Sequence, residues 1–316
     1  MSRSRIQLAR MSAIPHFFIV GAAKCGTTAL FQYLSQHPSV FMPAMKEPKY
    51  FCTDLKTVGS VRTHEGYMAL FAPAPPQCLT GEASCWYLYS KIAIERIMEH
   101  NPDAKIIVML RYPVDAAHSL YEAAWGYRHE NIADFEQAWR VQSDRLSGKH
   151  MPPNWPDAAT LQYGAMYRYA AQVRRVLDLV PQEQRHVIIY EEFFADPQRQ
   201  FAETLKFLQL PEDVNANFAV VNPAVGPRSS LLDRLLRRPP RWLAGLYAMI
   251  RPLTRATGLH PAAMLWKFNT VPREKTAMRP AFRAELERYF ADDIAELEGL
   301  LGRRLWQDRF RAARPR

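Results

Sequence analysis

The sequence predicts an α/β fold in which a central parallel sheet is flanked by helices. Three short apolar runs, at 16–20, 105–110 and 186–190, have the continuous hydrophobicity of strands that are buried on both faces. Each run is followed by a segment whose apolar residues recur at helical spacing. Strands that alternate with helices along a chain favour parallel pairing, with helices covering both faces of the sheet.

The length and composition are those of an ordinary globular protein. The chain has 316 residues, of which 48% are hydrophobic and 23% charged, so neither a disordered nor a fibrous chain is expected. We expect one domain over 1–316, with a core over about 14–224 and a helical extension over about 225–316. The four cysteines form no C-x-x-C pair, which indicates a reducing compartment and no zinc site. Because we find neither a secretory signal nor a run of roughly 18 apolar residues, we expect a cytoplasmic enzyme.

The first strand, loop and helix carry the clearest binding motif. The run 16–20 is followed by the loop GAAKCGTT, which starts at Gly21 and resembles a P-loop, and a helical pattern then begins at Ala29. Backbone N–H groups in such a turn, together with the N-terminus of the helix, bind anions. The ATP-type loop has its lysine after the second glycine, whereas here Thr27 has that place and the lysine is Lys24. We therefore expect a loop whose bound anion is neutralised by Lys24, and an ATPase or kinase is disfavoured.

The second strand places another cation at the same edge of the sheet. The run 105–110 ends directly before Arg111, and a helical pattern follows over about 114–125. Ligands of parallel sheets bind at the carboxyl ends of the strands. Since Lys24 and Arg111 both follow a strand's carboxyl end, we expect them on one binding rim.

The rest of the chain predicts a third strand, a proline-rich segment and a closing helix. The run 186–190 is followed by a helix that we expect to start near Pro197, after the capping residue Asp196. Segment 225–270 has five prolines among short amphipathic pieces, and we interpret it as a helical lid. Residues 280–301 have an apolar stripe at helical spacing, which indicates packing against the core.

The positive charge is concentrated in the last third of the chain. The net charge is +10: residues 1–224 carry 22 basic and 22 acidic side chains, and residues 225–316 carry 19 and 9. A basic surface concentrates anions, so nucleic acid, an anionic membrane surface and an anionic small molecule all remain open as ligands. Nucleic acid is the weaker alternative, because the basic region has no zinc-finger or RNP signature.

Five sequence blocks occur in an order that is typical of one enzyme family. In chain order they are FFIVGAAKCGTTALFQYLSQHP, KEPKYF (46–51), GEASCWYLY (81–89), IIVMLRYPVDAAHSLY and EGLLGRRLWQ (298–307). Together they resemble the sulfotransferases that use 3′-phosphoadenosine-5′-phosphosulfate (PAPS) as donor, in particular the bacterial and heparan-sulfate-type carbohydrate sulfotransferases. The resemblance covers most of residues 16–306. It implies a sulfotransferase that moves the sulfuryl group from PAPS to an acceptor.

The resemblance implies a set of donor-binding residues. These are Lys24, Cys25, Gly26, Thr27, Thr28, Arg111, Ser119 and Arg228. The loop would bind the 5′-phosphate, and Arg111 and Ser119 would bind the 3′-phosphate. Transfer of this kind depends mainly on positioning and charge stabilisation, and Lys24 would stabilise the charge that develops on the leaving group. We expect no metal.

The acceptor hydroxyl or amine must lose a proton, and a carboxylate is the simplest base. By its place in KEPKYF, the resemblance implies Glu47 for this role. The rival bases are His37, His64 and His118. We expect Lys49 and Glu82 to bind the acceptor. A carbohydrate or glycoconjugate is implied by Glu47 and fits the basic last third.

Three departures from the family's pattern concern the acceptor and the 3′-phosphate. Cys85 replaces the usual proline, Ala83 stands where some heparan-type relatives have a lysine, and Ala117-His118 replaces a common Arg-Ala/Tyr pair. Two other classes of function remain as alternatives: a non-enzymatic binder of polyanions or nucleic acid, and an atypical nucleotide kinase. Contact of segment 228–270 with a membrane surface also stays open.

Overall fold

The chain divides by its internal contacts into two units, one of residues 1–219 and 278–316 and the other of residues 220–277. The computed structural model describes residues 15–57, 59–127, 129–153, 155, 157–213, 216–218, 225–227, 229, 270–272 and 277–307. The lid expected over 225–270 lies mostly outside the described residues, and so does Arg228.

The larger unit is built on a five-stranded parallel sheet with the strand order β2-β3-β1-β4-β5. The strands are β1 (Phe17–Gly21), β2 (Val40–Phe41), β3 (Leu79–Ala83), β4 (Lys105–Leu110) and β5 (Arg185–Ile189). All of β1 and all but the first residue of β4 are buried, as expected for strands covered on both faces. The predicted parallel α/β fold is confirmed, and β1 lies at its centre.

Helices connect the strands and cover the sheet. In chain order they are α1 (Thr27–Leu34), α2 (His64–Ala69), α3 (Ala93–His100), α4 (Pro113–Gly126), α5 (Phe135–Arg140), α6 (Gln142–Leu146), α7 (Tyr163–Met166), α8 (Ala170–Leu179), α9 (Tyr190–Ala195), α10 (Pro197–Leu208) and α11 (Pro280–Leu301), with short 3₁₀ helices at Ala158–Leu161 and Gln182–Gln184. Helix α10 begins at Pro197 as predicted, and the Asp196 carboxylate accepts the N–H of Arg199 at 3.1 Å.

The closing helix α11 packs on the larger unit, and its apolar stripe faces inward as predicted. The Phe282 ring lies 5.6 Å from that of Phe135. The Asp293 carboxylate accepts the N–H of Ala170 at 3.3 Å. Helix α11 therefore supplies buried side chains to the core of the larger unit, as its stripe predicted.

The smaller unit contains a two-stranded antiparallel sheet of β6 (Val225–Pro227) and β7 (Thr270–Pro272). Over the described parts of both units, we find no helix with the length and apolar character needed to span a membrane.

Candidate active site

The loop GAAKCGTT (21–28), which resembles a P-loop and is called the phosphate loop below, leaves the sheet at the carboxyl end of β1. Gly21 has φ +140°, and a Cβ there would lie 2.7 Å from the carbonyl oxygen of Cys85, so the loop can pass this segment only with glycine. The N–H of Ala22 donates to the carbonyl of Met109 at 2.6 Å, which ties the loop to β4. Gly26, with φ +90°, is the N-cap residue of α1. The loop is thus fixed between its two neighbouring strands.

The N-terminus of α1 presents backbone donors to this loop. Within the described chain no side chain caps the helix, and the first N–H groups of a helix have no acceptor inside it. The backbone bonds of the turn begin with Ala29, whose N–H donates to the Gly26 carbonyl at 2.9 Å. The N–H groups of Gly26, Thr27 and Thr28 can therefore bind phosphate oxygens, helped by the positive end of the helix dipole.

The side chain of Lys24 is exposed. The residues on either side of it are held by hydrogen bonds with buried side chains. The Ala23 carbonyl accepts the Tyr167 hydroxyl at 3.0 Å and the Cys25 thiol at 3.3 Å. Cys25 is fully buried, with its Sγ 3.4 Å from the Tyr169 hydroxyl, and burial raises the pKa of this thiol to about 12. A donor molecule could therefore meet Cys25 only at its backbone, and Lys24 through its side chain.

Arg111 connects the segment that follows β4 with the GAAKCGTT loop that follows β1. Its Nη1 donates to the carbonyl oxygen of Lys24 at 3.3 Å, and its guanidinium lies 4.3 Å from the centre of the Tyr190 ring. Its Nε is buried and has no hydrogen-bond partner in the described chain. A buried donor without an acceptor is costly, and an anion at this position would satisfy it. Arg111 and Lys24 thus lie side by side, as their strand-end positions predicted.

Ser119 lies almost two turns into α4 and is 9% exposed. The start of α4 is fixed by a residue that follows β5: Glu191 accepts the backbone N–H of Tyr112 at 3.0 Å and the Trp306 indole N–H at 2.7 Å. Glu191 and Trp306 were not singled out from the sequence. The signal for Glu191 was its place directly after an apolar strand, and Trp306 lies in the closing block EGLLGRRLWQ.

Glu47 lies beside the end of β3, on the other side of the phosphate loop from Arg111. Its backbone N–H donates to the carbonyl of Ala83 at 3.0 Å. One carboxylate oxygen accepts the N–H of Cys85 at 3.0 Å, and the other accepts Lys46 Nζ at 2.5 Å. Although burial opposes the charge of Lys46, the Glu47 carboxylate raises its pKa, so Lys46 stays a cation. Because Cys85 borders the loop at Gly21, Glu47 lies near the GAAKCGTT loop.

Lys49 and Glu82 are connected through Ser84. The backbone N–H of Lys49 donates to Ser84 Oγ at 3.0 Å, and this hydroxyl donates to Glu82 at 2.6 Å. Glu82 also accepts the hydroxyls of Tyr67 at 2.7 Å and Tyr87 at 3.2 Å. Burial raises the pKa of Glu82 to about 7, while these three hydroxyl donors lower it. The expectation that Glu82 binds the acceptor requires correction, because the side chain has no exposed surface and its oxygens are occupied.

The rival histidines have different surroundings. His37 is buried, and its ring nitrogens contact the carbonyl of Pro211 and the N–H of Ser39. His118 pairs with Glu122 at 3.6 Å on α4. His64 is exposed at the start of α2, and its ring centre is 6.4 Å from that of Tyr50 in the KEPKYF loop. Among the described residues no group of three or more His, Cys, Asp or Glu side chains is arranged to hold a metal ion.

These features define a class of enzyme. A central strand runs into an anion-binding loop, an arginine from β4 lies on one side and a carboxylate beside β3 lies on the other. Such a site suits group transfer from a donor that carries phosphate. Residues 14–220 match the family model of the sulfotransferase domain, and the chain belongs to this family. It is a transferase of the sulfotransferase type, as its sequence blocks predicted.

Relatives agree with this assignment. The chain is 30% identical to mouse bifunctional heparan sulfate N-deacetylase/N-sulfotransferase 4 over 230 residues, which are 70% of this chain and 25% of that protein. It is also 30% identical to mouse carbohydrate sulfotransferase 15 over 154 residues, 35% of this chain and 28% of that protein. The chain therefore spans about a quarter of the length of these curated relatives. The crystal structure of a sulfotransferase from Alicyclobacillus acidocaldarius superposes with a TM-score of 0.69 at 30% identity, covering 92% of this chain and 97% of that one.

Proposed function

We propose that this protein transfers the sulfuryl group of PAPS to a hydroxyl or amine of a carbohydrate or glycoconjugate. The observation that carries the proposal is the contact of Arg111 with the carbonyl of Lys24, because it brings two anion-binding motifs together. PAPS carries a 5′-phosphosulfate and a 3′-phosphate, and the family implies this donor. The buried Nε of Arg111 and the uncapped N-terminus of α1 are donors that suit these anions.

On this proposal the chain's residues divide the binding of the donor between them. The N–H groups of Gly26, Thr27 and Thr28 hold the 5′-phosphate, while Arg111 and Ser119 hold the 3′-phosphate. When bound, PAPS supplies the sulfuryl group, which an acceptor oxygen or nitrogen takes from the bridging phosphate oxygen. The ammonium of Lys24 stabilises the charge left on that oxygen. Arg228 is a further contact that we propose for the 3′-phosphate end.

Glu47 is the base that we propose for the acceptor. The N–H of Cys85 fixes one carboxylate oxygen, and the oxygen that contacts Lys46 would instead accept the proton of the acceptor. The ion pair with Lys46 holds this oxygen in place until the acceptor arrives. Lys49 would bind the acceptor or the sulfuryl group.

A carbohydrate acceptor is supported by the names of two relatives, a heparan sulfate N-deacetylase/N-sulfotransferase and a carbohydrate sulfotransferase. Since the chain spans about a quarter of those proteins, their substrates are carried over only as a proposal. We also propose a cytoplasmic location, which four cysteines without disulfides support. Cell fractionation with an antibody to the chain would test this, and recovery from secreted or membrane fractions would contradict it.

The proposal is tested by calorimetric titration with PAP, the desulfonated donor, beside ATP. We expect PAP to bind without magnesium and ATP to bind much less tightly. An acceptor screen with labelled PAPS would follow, starting with oligosaccharides that carry free hydroxyls and amines. Absence of PAP binding at millimolar concentration would contradict the proposal, and magnesium-dependent ATP turnover would favour the kinase alternative.

A further inference from the structure

One residue links the loop that carries Glu47 to the strand that carries the phosphate loop. We infer that Ser84 is the positioning residue that holds Glu47 and Lys49 in register with the donor site. This inference rests on the proposed role of Glu47 as base. Ser84 lies outside both phosphate motifs, and we expect it to affect turnover through Glu47.

Ser84 has no exposed surface, and three of its hydrogen bonds bear on the site, in addition to the bond by which its carbonyl accepts the N–H of Tyr87 at 3.2 Å. Its backbone N–H donates to the carbonyl of Ile19, two residues before the phosphate loop begins at Gly21. This bond is 3.1 Å long and attaches Ser84 to β1. Its Oγ accepts the backbone N–H of Lys49 at 3.0 Å. The KEPKYF loop and β1 are therefore held by the same residue.

The third bond of Ser84 sets the direction of its hydroxyl. A serine hydroxyl has one proton and two lone pairs. The proton is donated to Glu82 at 2.6 Å, so a lone pair is left for the N–H of Lys49. Glu82 is itself fixed, because Tyr67 and Tyr87 donate to its other oxygen. The buried carboxylate thus orients Ser84, and Ser84 orients the loop.

The KEPKYF loop needs this support because two of its residues have an unfavourable backbone conformation. Glu47 has φ +64° and Lys49 has φ +55°, values in the left-handed region that residues with a side chain seldom adopt. Such conformations persist where the surroundings hold them. The carbonyl of Ala83 and the N–H of Cys85 hold Glu47, but these are backbone groups that a substitution leaves in place. The hydroxyl of Ser84 is a support that a substitution can remove.

The test compares Ser84→Ala with Ser90→Ala. Ser90 is also fully buried, and its Oγ donates to Asp54 at 2.6 Å and accepts the N–H of Ala93 at 3.1 Å; within the described residues it has no hydrogen bond to the KEPKYF loop. We expect Ser84→Ala to lower kcat about 100-fold, since small displacements of a catalytic group have effects of this size. The Kd for PAP should not change, and Ser90→Ala should keep kcat near the wild-type value. Equal kcat values for the two variants would overturn the inference.

A double-mutant cycle shows whether Ser84 acts through Glu47. In the Glu47→Gln background, we expect Ser84→Ala to cause almost no further loss of kcat. A loss by the same factor in both backgrounds would overturn the inference. Ser84→Cys is similar in size and hydrogen-bonds weakly, so it serves if the alanine variant does not fold; wild-type kcat for it would count against the inference. The single variant Glu47→Gln reports separately on the proposed function, which fails if that variant keeps normal turnover.

Discussion

The buried carboxylate of Glu82 is expected to make the stability of the protein depend on pH. Burial raises the pKa of Glu82 from an ordinary value of 4.5 to about 7. Between these two values the folded protein holds a proton that the unfolded chain has released, so the free energy of unfolding falls as the pH rises. The contribution is fully present below pH 4.5 and is lost as the pH passes 7. A pKa difference of this size corresponds to roughly 3 kcal/mol.

The variant Glu82→Gln removes the titrating group and nearly preserves the shape of the side chain. We would measure urea unfolding of both proteins from pH 4 to pH 8 and subtract the two free energies at each pH. The subtraction cancels the contributions of His16, His100 and His186, whose pKa values are lowered by burial. Relative to the variant, the wild type should lose roughly 3 kcal/mol over this range. A constant difference would refute the reasoning, and a difference of opposite sign would mean that the hydroxyl donors keep the carboxylate ionised.

Three further variants test the roles in the active site. Lys24→Ala should abolish transfer and weaken PAP binding only partly, because its charge acts on the leaving group; calorimetry beside a transfer assay separates the two effects. Glu47→Gln should lower kcat at least about 100-fold with nearly unchanged PAP affinity, and normal turnover would place the base elsewhere. Arg111→Ala should raise the Kd for PAP by about 10- to 100-fold, as expected for loss of a charged hydrogen-bond donor. An unchanged Kd for that variant would show that the 3′-phosphate binds elsewhere.

The fold could be predicted where the sequence pattern is local. Strands β1, β4 and β5 are continuous apolar runs, and α11 has a clear stripe, so all four were predicted. Strand β3 was missed because its sequence, LTGEA, contains a glycine and a glutamate. Gly81 is needed because a Cβ there would lie 2.0 Å from the Phe17 ring of β1. Glu82 can be buried because the hydroxyls of Tyr67 and Tyr87 donate to it, and the folded arrangement that brings them to its carboxylate is not a pattern of alternating residues that a sequence reveals.

The residues of the candidate site could likewise be predicted only where a local sequence rule places them. Lys24 and Arg111 were placed on one rim because both follow the carboxyl end of a strand, and this rule requires no knowledge of long-range contacts. The rule could also have pointed to Glu191, which follows β5. Ser84 and Trp306 could not be identified, since their roles depend on partners in other parts of the chain.

The buried thiol of the phosphate loop has a consequence for the redox chemistry of the protein. The thiolate is the form of cysteine that reacts with peroxides and alkylating agents. With its pKa raised to about 12, Cys25 is held almost entirely in the thiol form at neutral pH. Burial also raises the pKa of Cys85, which borders the loop, well above its usual value. Transfer should therefore persist through oxidant exposure that inactivates enzymes with an acidic thiol at the active site.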